Sequence, residues 1–267
     1  MNATGRSPDR AADGTAWYVY GVVPADTPAT VVERLQGVRD TRTGLVAEAG
    51  LGALVSEVPL AEFDDEPLAS NLRDPAWLES GVRAHDRVLA AVARDAPVVP
   101  FRFGTIYRSE EQVRTMLAEH ARLAEVLETL RGRIELGVKG FFADGDDGPA
   151  AAGDEPEASP GRRYLEQKQR DRRAAEEREA LLARAADESH ARLAAVADAA
   201  RANPLQPPEA SGRDAAMFLN GAYLVAAAKE QDFRRAIASL QAELGASGIV
   251  FELTGPWPPY NFVEVDA

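Results

Sequence analysis

Apolar positions along the chain switch between a period of two and a period near three and a half, and the switches predict its elements. Trp17-Tyr18-Val19-Tyr20-Gly21-Val22-Val23 is rich in β-branched and aromatic residues and predicts a strand. A short helix is expected over 29–36. Strands over 45–49 and 53–58 are separated by Gly50-Leu51-Gly52, a hairpin signature. The acidic stretch Glu62-Phe63-Asp64-Asp65-Glu66 reads as a solvated loop. A helix starts at Pro75, a residue suited to a first turn, and carries Leu78, Val82, His85, Leu89 and Val92 at helical spacing. Val98 to Tyr107 is extended and interrupted by Pro100. Ser109 with Gln112 forms a capping box, after which Val113, Met116, Leu117, His120, Leu123, Leu127 and Leu130 mark one helix face.

The second half follows its own order. Arg133 to Phe142 alternates, with Ile134, Leu136, Val138, Gly140 and Phe142 on one side and Arg133, Glu135, Gly137, Lys139 and Phe141 on the other. Residues 143–161 combine acids with Gly, Pro and Ala, the composition of a flexible loop. Residues 162–201 favour helix throughout, polar all round at first and apolar only from Leu182 through Ala186, Leu193 and Val196. Without several clean heptads a coiled coil is not predicted; a helix docked by its C-terminal half is. Asn203 to Ser211 contains prolines and reads as an extended edge strand, and Met217 to Val225 as a strand. Phe233, Ile237, Leu240 and Leu244 mark a helix that Gly245 ends, and Ile249 to Thr254 forms a last strand.

These elements predict an α+β chain of two domains. A disordered polar leader is expected over 1–15 and an N-terminal α+β domain over 16–131. A modified ferredoxin-like domain with βαββαβ order follows over 132–255, elaborated by the acidic loop 143–161 and the long helix 162–202. A tail over 256–267 completes it. Its core, Gly255-Pro256-Trp257-Pro258-Pro259-Tyr260-Asn261-Phe262, is too proline-rich for a helix or a central strand. A stiff extended run loses little entropy on docking, so Trp257, Tyr260 and Phe262 are expected to pack, on their own domain or on a partner.

Composition narrows the function. The chain has 267 residues and a net charge of −13, which disfavours nucleic acid and anionic lipid as partners. No cysteine is present, which removes disulfides and thiolate chemistry and fits a cytoplasmic protein. The longest apolar run, Ala215 to Ala228, is too short for a bilayer. His85, His120 and His190 lack a second ligand at metal-site spacing, and neither a phosphate loop nor a nucleophile elbow occurs. The reading is a non-enzyme without cofactor or metal. Arg102 alternates with Phe101 and Phe103 beside Gly104, while Glu135 and Lys139 share a strand face. A buried Arg102–Glu135 pair across the domain junction is therefore expected.

Five strings then occur in order: Trp17-Tyr-Val-Tyr-Gly-Val-Val23, Val99-Pro-Phe-Arg-Phe-Gly-Thr105, Ile134-Glu-Leu-Gly-Val-Lys139, Leu219-Asn-Gly-Ala-Tyr-Leu-Val225 and Thr254-Gly-Pro-Trp-Pro-Pro-Tyr-Asn-Phe262. Together they resemble the gas vesicle accessory proteins GvpF and GvpL over about residues 16–263. The resemblance implies a non-enzymatic role in gas vesicle assembly, contacts with the small hydrophobic shell protein GvpA and other accessory proteins, and a place on the vesicle or its assembly intermediates. Its motifs mark Arg102, Phe103, Gly104, Glu135, Lys139, Tyr223, Trp257, Pro258, Pro259, Tyr260 and Phe262 as structural or interaction positions. Two other classes compete: a ferredoxin-like small-molecule sensor, and a self-assembling adaptor built on the charged helix.

Overall fold

The computed structural model describes residues 14–142, 160–212 and 215–263. The leader up to residue 13, residues 143–159 of the acidic loop and the last four residues lie outside them. The chain divides into two compact units, Met1–Ile134 with Trp257–Ala267 and Glu135–Pro256. In order it runs β1 (Thr15–Pro24), α1 (Ala29–Val32), β2 (Thr43–Glu48), β3 (Leu51–Pro59), α2 (Leu60–Phe63), α3 (Asp65–Asn71) and α4 (Pro75–Val92). Next come β4 (Val99–Pro100), β5 (Ile106–Tyr107), α5 (Glu110–Glu119), α6 (Leu123–Leu130) and β6 (Arg133–Phe142). Then follow α7 (Pro160–Ala194), β7 (Ala199–Ala202), α8 (Pro208–Ser211), β8 (Ala216–Ala226), α9 (Glu230–Leu244) and β9 (Ile249–Trp257).

The first unit is organised around β1. Its sheet has the order β2-β3-β1-β4, with β5 also pairing β1, and β1 runs antiparallel to β3, β4 and β5, as β2 does to β3. A bulge between Val19 and Gly21 shifts the register against β3 by one residue. The core shows the shift: Ala16, Tyr18 and Tyr20 join one cluster, and beyond the bulge it is Val23 that joins it. Ala84, Val88, Leu89 and Val92 of α4 and Phe63 complete that cluster. Val113, Met116 and Leu117 of α5 and Leu123, Leu127 and Leu130 of α6 are buried as well, α5 contacting β2 and β3 and α6 contacting β1 and β4. β1 is thus buried along nearly its whole length, which is why its sequence is an almost unbroken apolar run.

In the second unit the sheet order is β7-β8-β6-β9. Ala185 and Leu193 of α7 and Phe233, Ile237 and Leu240 of α9 are buried, and both helices contact β8. Arg192 fastens the end of α7 to α9, its guanidinium meeting both carboxylate oxygens of Glu243 at 2.5 and 2.8 Å. That contact and the Ser239 hydroxyl hold the exposed Glu243 carboxyl down at about 2.

Three expectations need correction. Glu62 to Glu66 is not a loop but the seam of α2 and α3, because Phe63 is buried and the Asp64 carboxylate caps α3 by accepting from the Asp65 amide. The single helix after Ser109 breaks at His120, whose backbone leaves the helical region at φ −107°, ψ 44°; its Nδ1 lies 2.8 Å from the Met116 carbonyl. The second strand of the later half is Ala199–Ala202 rather than 203–211, where a helical turn sits instead. There an Ala-Ala-Arg-Ala run of high helix propensity is pulled into a ladder by β8, with Ala199 opposite Leu224 and Ala202 opposite Gly221.

Gly21 is where the sheet tolerates least. A Cβ there would sit 2.4 Å from the Val99 carbonyl oxygen, a backbone atom that cannot rotate away. Gly21→Ala is expected to lower the unfolding free energy by about 1–3 kcal/mol in a urea titration; an unchanged midpoint would mean that β1 and β4 are not held this close.

Candidate interaction surfaces

The Pro100-to-Thr105 segment is tied to β1 and α4 by a chain of polar contacts inside an aromatic core. The Phe101 amide donates to the Tyr20 carbonyl at 2.8 Å, and the Phe101 carbonyl lies 3.2 Å from His85 Nε2. His85 Nδ1 is 2.8 Å from the Tyr18 hydroxyl, which accepts from the Gly104 amide at 3.3 Å. One tautomer satisfies all of this: Nε2–H donates to Phe101 and Nδ1 accepts from Tyr18. Gly104 has φ +88°, a left-handed conformation that favours glycine. Phe103 fits because Gly81 leaves space on α4; a Cβ there would lie 2.6 Å from its ring. A second chain starts at Tyr20, whose hydroxyl is 2.9 Å from Ser56 Oγ and accepts from the Val38 amide at 2.9 Å.

Burial governs the electrostatics here. It pushes both phenols, Tyr18 and Tyr20, above the ordinary tyrosine range and pulls the His85 imidazole down from 6.5 to about 4. His85 is thus a neutral core residue. Its neighbour Asp86 points elsewhere and accepts from the Tyr260 hydroxyl at 2.8 Å.

That hydrogen bond belongs to the proline-rich end of the chain. The tail is not uniformly extended: β9 runs as far as Trp257, and Tyr260–Phe262 forms a 3₁₀ turn closed by the Phe262 amide donating to the Pro259 carbonyl at 3.1 Å, just after the Tyr260 amide donates to the Pro258 carbonyl at 2.7 Å. The rings were expected to pack, yet the prolines do so. Pro258 and Pro259 are buried, Phe262 is half-buried, and Trp257 and Tyr260 are 48% and 40% exposed. Pyrrolidine rings lose almost no rotamer entropy when buried, so they make effective anchors and leave the larger rings presented outward.

In the second unit, Glu135 is buried on β6, while Lys139 reaches Gln206 Oε1 at 3.1 Å. Tyr223 is fully buried, its hydroxyl 2.9 Å from His190 Nδ1. Between α7 and the start of β8 lies an open groove of roughly 440 Å³, lined by Ala175, Leu182, Ala183, Leu205, Met217 and Phe218 and edged by Arg178 and Glu179. Arg102 corrects the expected buried pair with Glu135. It is exposed, and its carbonyl closes a tight turn by accepting from the Thr105 amide and hydroxyl at 3.3 and 2.8 Å. Among the described residues no cluster of His, Asp or Glu could hold a metal, and no helix is long and apolar enough to cross a membrane.

The family model described as gas vesicle synthesis protein GvpL/GvpF matches residues 16–264. The chain belongs to the GvpL/GvpF family. It is 34% identical over 260 residues to gas vesicle protein L of Streptomyces sp. (strain CB03234), covering 93% of this chain and 92% of that one. To gas vesicle protein F of the same strain it is 30% identical over 258 residues, covering 92% and 99%. The crystal structure of GvpF from Anabaena sp. PCC7120 shares the fold with a TM-score of 0.68 at 22% identity, over 95% of this chain and 98% of that one.

Within this GvpL/GvpF chain, sequence reasoning named the proline-rich end and the Phe103-Gly104 turn but missed what holds them. Tyr18 and Tyr20 were visible as alternate residues of one strand, and that alternation was the available signal for a hydroxyl pair on one face. The groove residues Leu205, Met217 and Phe218 carried no such signal, because they meet only after the chain folds.

His85 gives the first unit a pH dependence. The folded chain keeps the imidazole neutral, whereas an unfolded chain protonates it below about pH 6.5. Its contribution is complete above that value, declines as the pH falls and levels off below about 4, a total of about 3 kcal/mol. Chemical denaturation from pH 7 to pH 4 is expected to show a steeper loss for the wild type than for His85→Gln. Equal slopes would place His85 in contact with water.

Proposed function

We propose that this GvpL/GvpF chain is a non-enzymatic accessory protein of gas vesicle assembly that binds the hydrophobic shell protein GvpA and other accessory proteins. The observation that carries the reading is the presentation of Trp257 and Tyr260. Two large rings stay about half exposed while the prolines between them are buried and the Tyr260 hydroxyl is fixed on Asp86. Rigidly held aromatic side chains are the residues from which protein contacts draw most of their energy, because little freedom remains to be lost on binding. A shell subunit that will face gas is apolar, and before it polymerises that side needs a cover. An acidic chain with anchored rings supplies one and resists collapsing onto itself.

The same reading extends to architecture. A strand–helix–strand–strand–helix–strand order with sheet order β7-β8-β6-β9 supports describing the second unit as a modified ferredoxin-like domain, with α8 as an insertion before β8.

Trp257→Ala separates a binding role from a structural one. Truncating an anchor ring typically weakens binding by about 2 kcal/mol, roughly thirtyfold, whereas changes at half-exposed positions leave stability within about 0.5 kcal/mol. Titration of the purified chain with detergent-solubilised GvpA is expected to show that loss with an unchanged unfolding midpoint. Equal GvpA affinity of wild type and variant would remove the rings from the contact.

A further inference from the structure

Among the described residues, the first half of α7 buries no side chain. From Arg162 to Ala180, every described side chain is exposed except Glu166, which is half-exposed. At about 1.5 Å per residue that is close to 30 Å of exposed helix, which meets the rest of its unit near the end, where the Arg178 guanidinium lies 5.8 Å from the centre of the Phe142 ring. A helix of this length in water needs favourable local electrostatics or a partner. At its start the electrostatics run the wrong way. Arg162 and Arg163 sit at the N-terminal end, where the helix dipole disfavours cations. Two of its intrahelical pairs, Arg162–Glu166 at 2.9 Å and Arg172–Glu176 at 2.8 Å, place the cation first, the weaker order.

The charges make sense between molecules. Residues 162–173 carry Arg162, Arg163, Lys168, Arg170, Arg172 and Arg173 against only Glu166 and Asp171. Residues 176–188 reverse the balance, with Glu176, Glu177, Glu179, Asp187 and Glu188 against Arg178 and Arg184. We propose that α7 pairs antiparallel with α7 of a second copy of this chain, the crossing centred near Ala175. This arrangement sets each basic half against the partner's acidic half; a parallel pair would set like charge on like. It also disposes of an exposed apolar step. Tyr164 and Leu165, 66% and 60% exposed, come level with Ala183 and Ala186 of the other copy, on the groove that Leu182, Leu205, Met217 and Phe218 line. The two ends are equivalent by symmetry, so one pairing fills both grooves.

The inference does not depend on shell-protein binding and is tested without it. Sedimentation of the full-length chain from about 1 to 100 μM at low ionic strength is expected to show a monomer–dimer equilibrium that weakens at about 0.5 M salt, as screening requires. Reversing the basic half with Arg170→Glu, Arg172→Glu and Arg173→Glu, or the acidic half with Glu176→Lys, Glu177→Lys and Glu179→Lys, is expected to weaken self-association at least about tenfold. These positions are exposed, and circular dichroism checks that both variants fold. Mixed in equal amounts, they are expected to recover a heterodimer within a few-fold of the wild-type affinity. A wild type that stays monomeric at 100 μM, or folded variants that fail to pair when mixed, overturns the proposal. So does a monomer whose groove takes up a different protein instead.

Discussion

The polar contacts enclosed by the aromatic core of the first unit are the constraint on which its arrangement depends. Tyr18, His85 and the backbone of Phe101 and Gly104 satisfy one another where water is absent. A buried polar atom that loses its partner costs more than the bond is worth in water, so these groups fix one another's positions. Moving any of them displaces three elements at once: β1, α4 and the turn through Arg102. The ring packing repeats the constraint, with Tyr18 contacting Tyr20, Phe63, His85 and Phe103 at centroid distances of 4.8 to 6.0 Å. Because α4 is set in this way, Asp86 on its outer side is set too, and with it the seat of Tyr260.

Much of the fold was legible in local patterns. The β-branched run of β1, the Gly50 hairpin and the Ser109 cap each state a backbone preference within a few residues, and each forms where expected, although the Gln112 side chain reaches back to the Arg108 amide rather than to that of Ser109. Failures arose where a distant partner outweighs local preference. Ala199-Ala200-Arg201-Ala202 favours helix by composition, yet β8 offers it a ladder. The Glu62–Glu66 acids looked solvated, yet Phe63 among them is a core residue and Arg108 pairs with Asp64 and Asp65. The proline-rich end was legible as stiff and aromatic, but which part of it would be buried was not. That choice depends on the shape of the surface it meets, about which its own sequence says nothing.

The two units offer unlike surfaces. The first presents rings held by buried prolines; the second carries a charged helix and an apolar groove edged by Arg178 and Glu179. A strongly acidic chain keeps such surfaces from associating indiscriminately, and contact follows only where charge or shape is complementary. These are the properties that the proposed role, meeting apolar shell subunits without aggregating, requires of this member of the GvpL/GvpF family.

Cells carrying a complete gas vesicle gene set, with and without this chain, provide the most direct measurement of that role. Light scattering is recorded before and after a pressure step that collapses gas-filled compartments. Pressure-sensitive scattering that disappears without the chain and returns when it is resupplied is the predicted result. Undiminished pressure-sensitive scattering in its absence would contradict a required part in vesicle assembly.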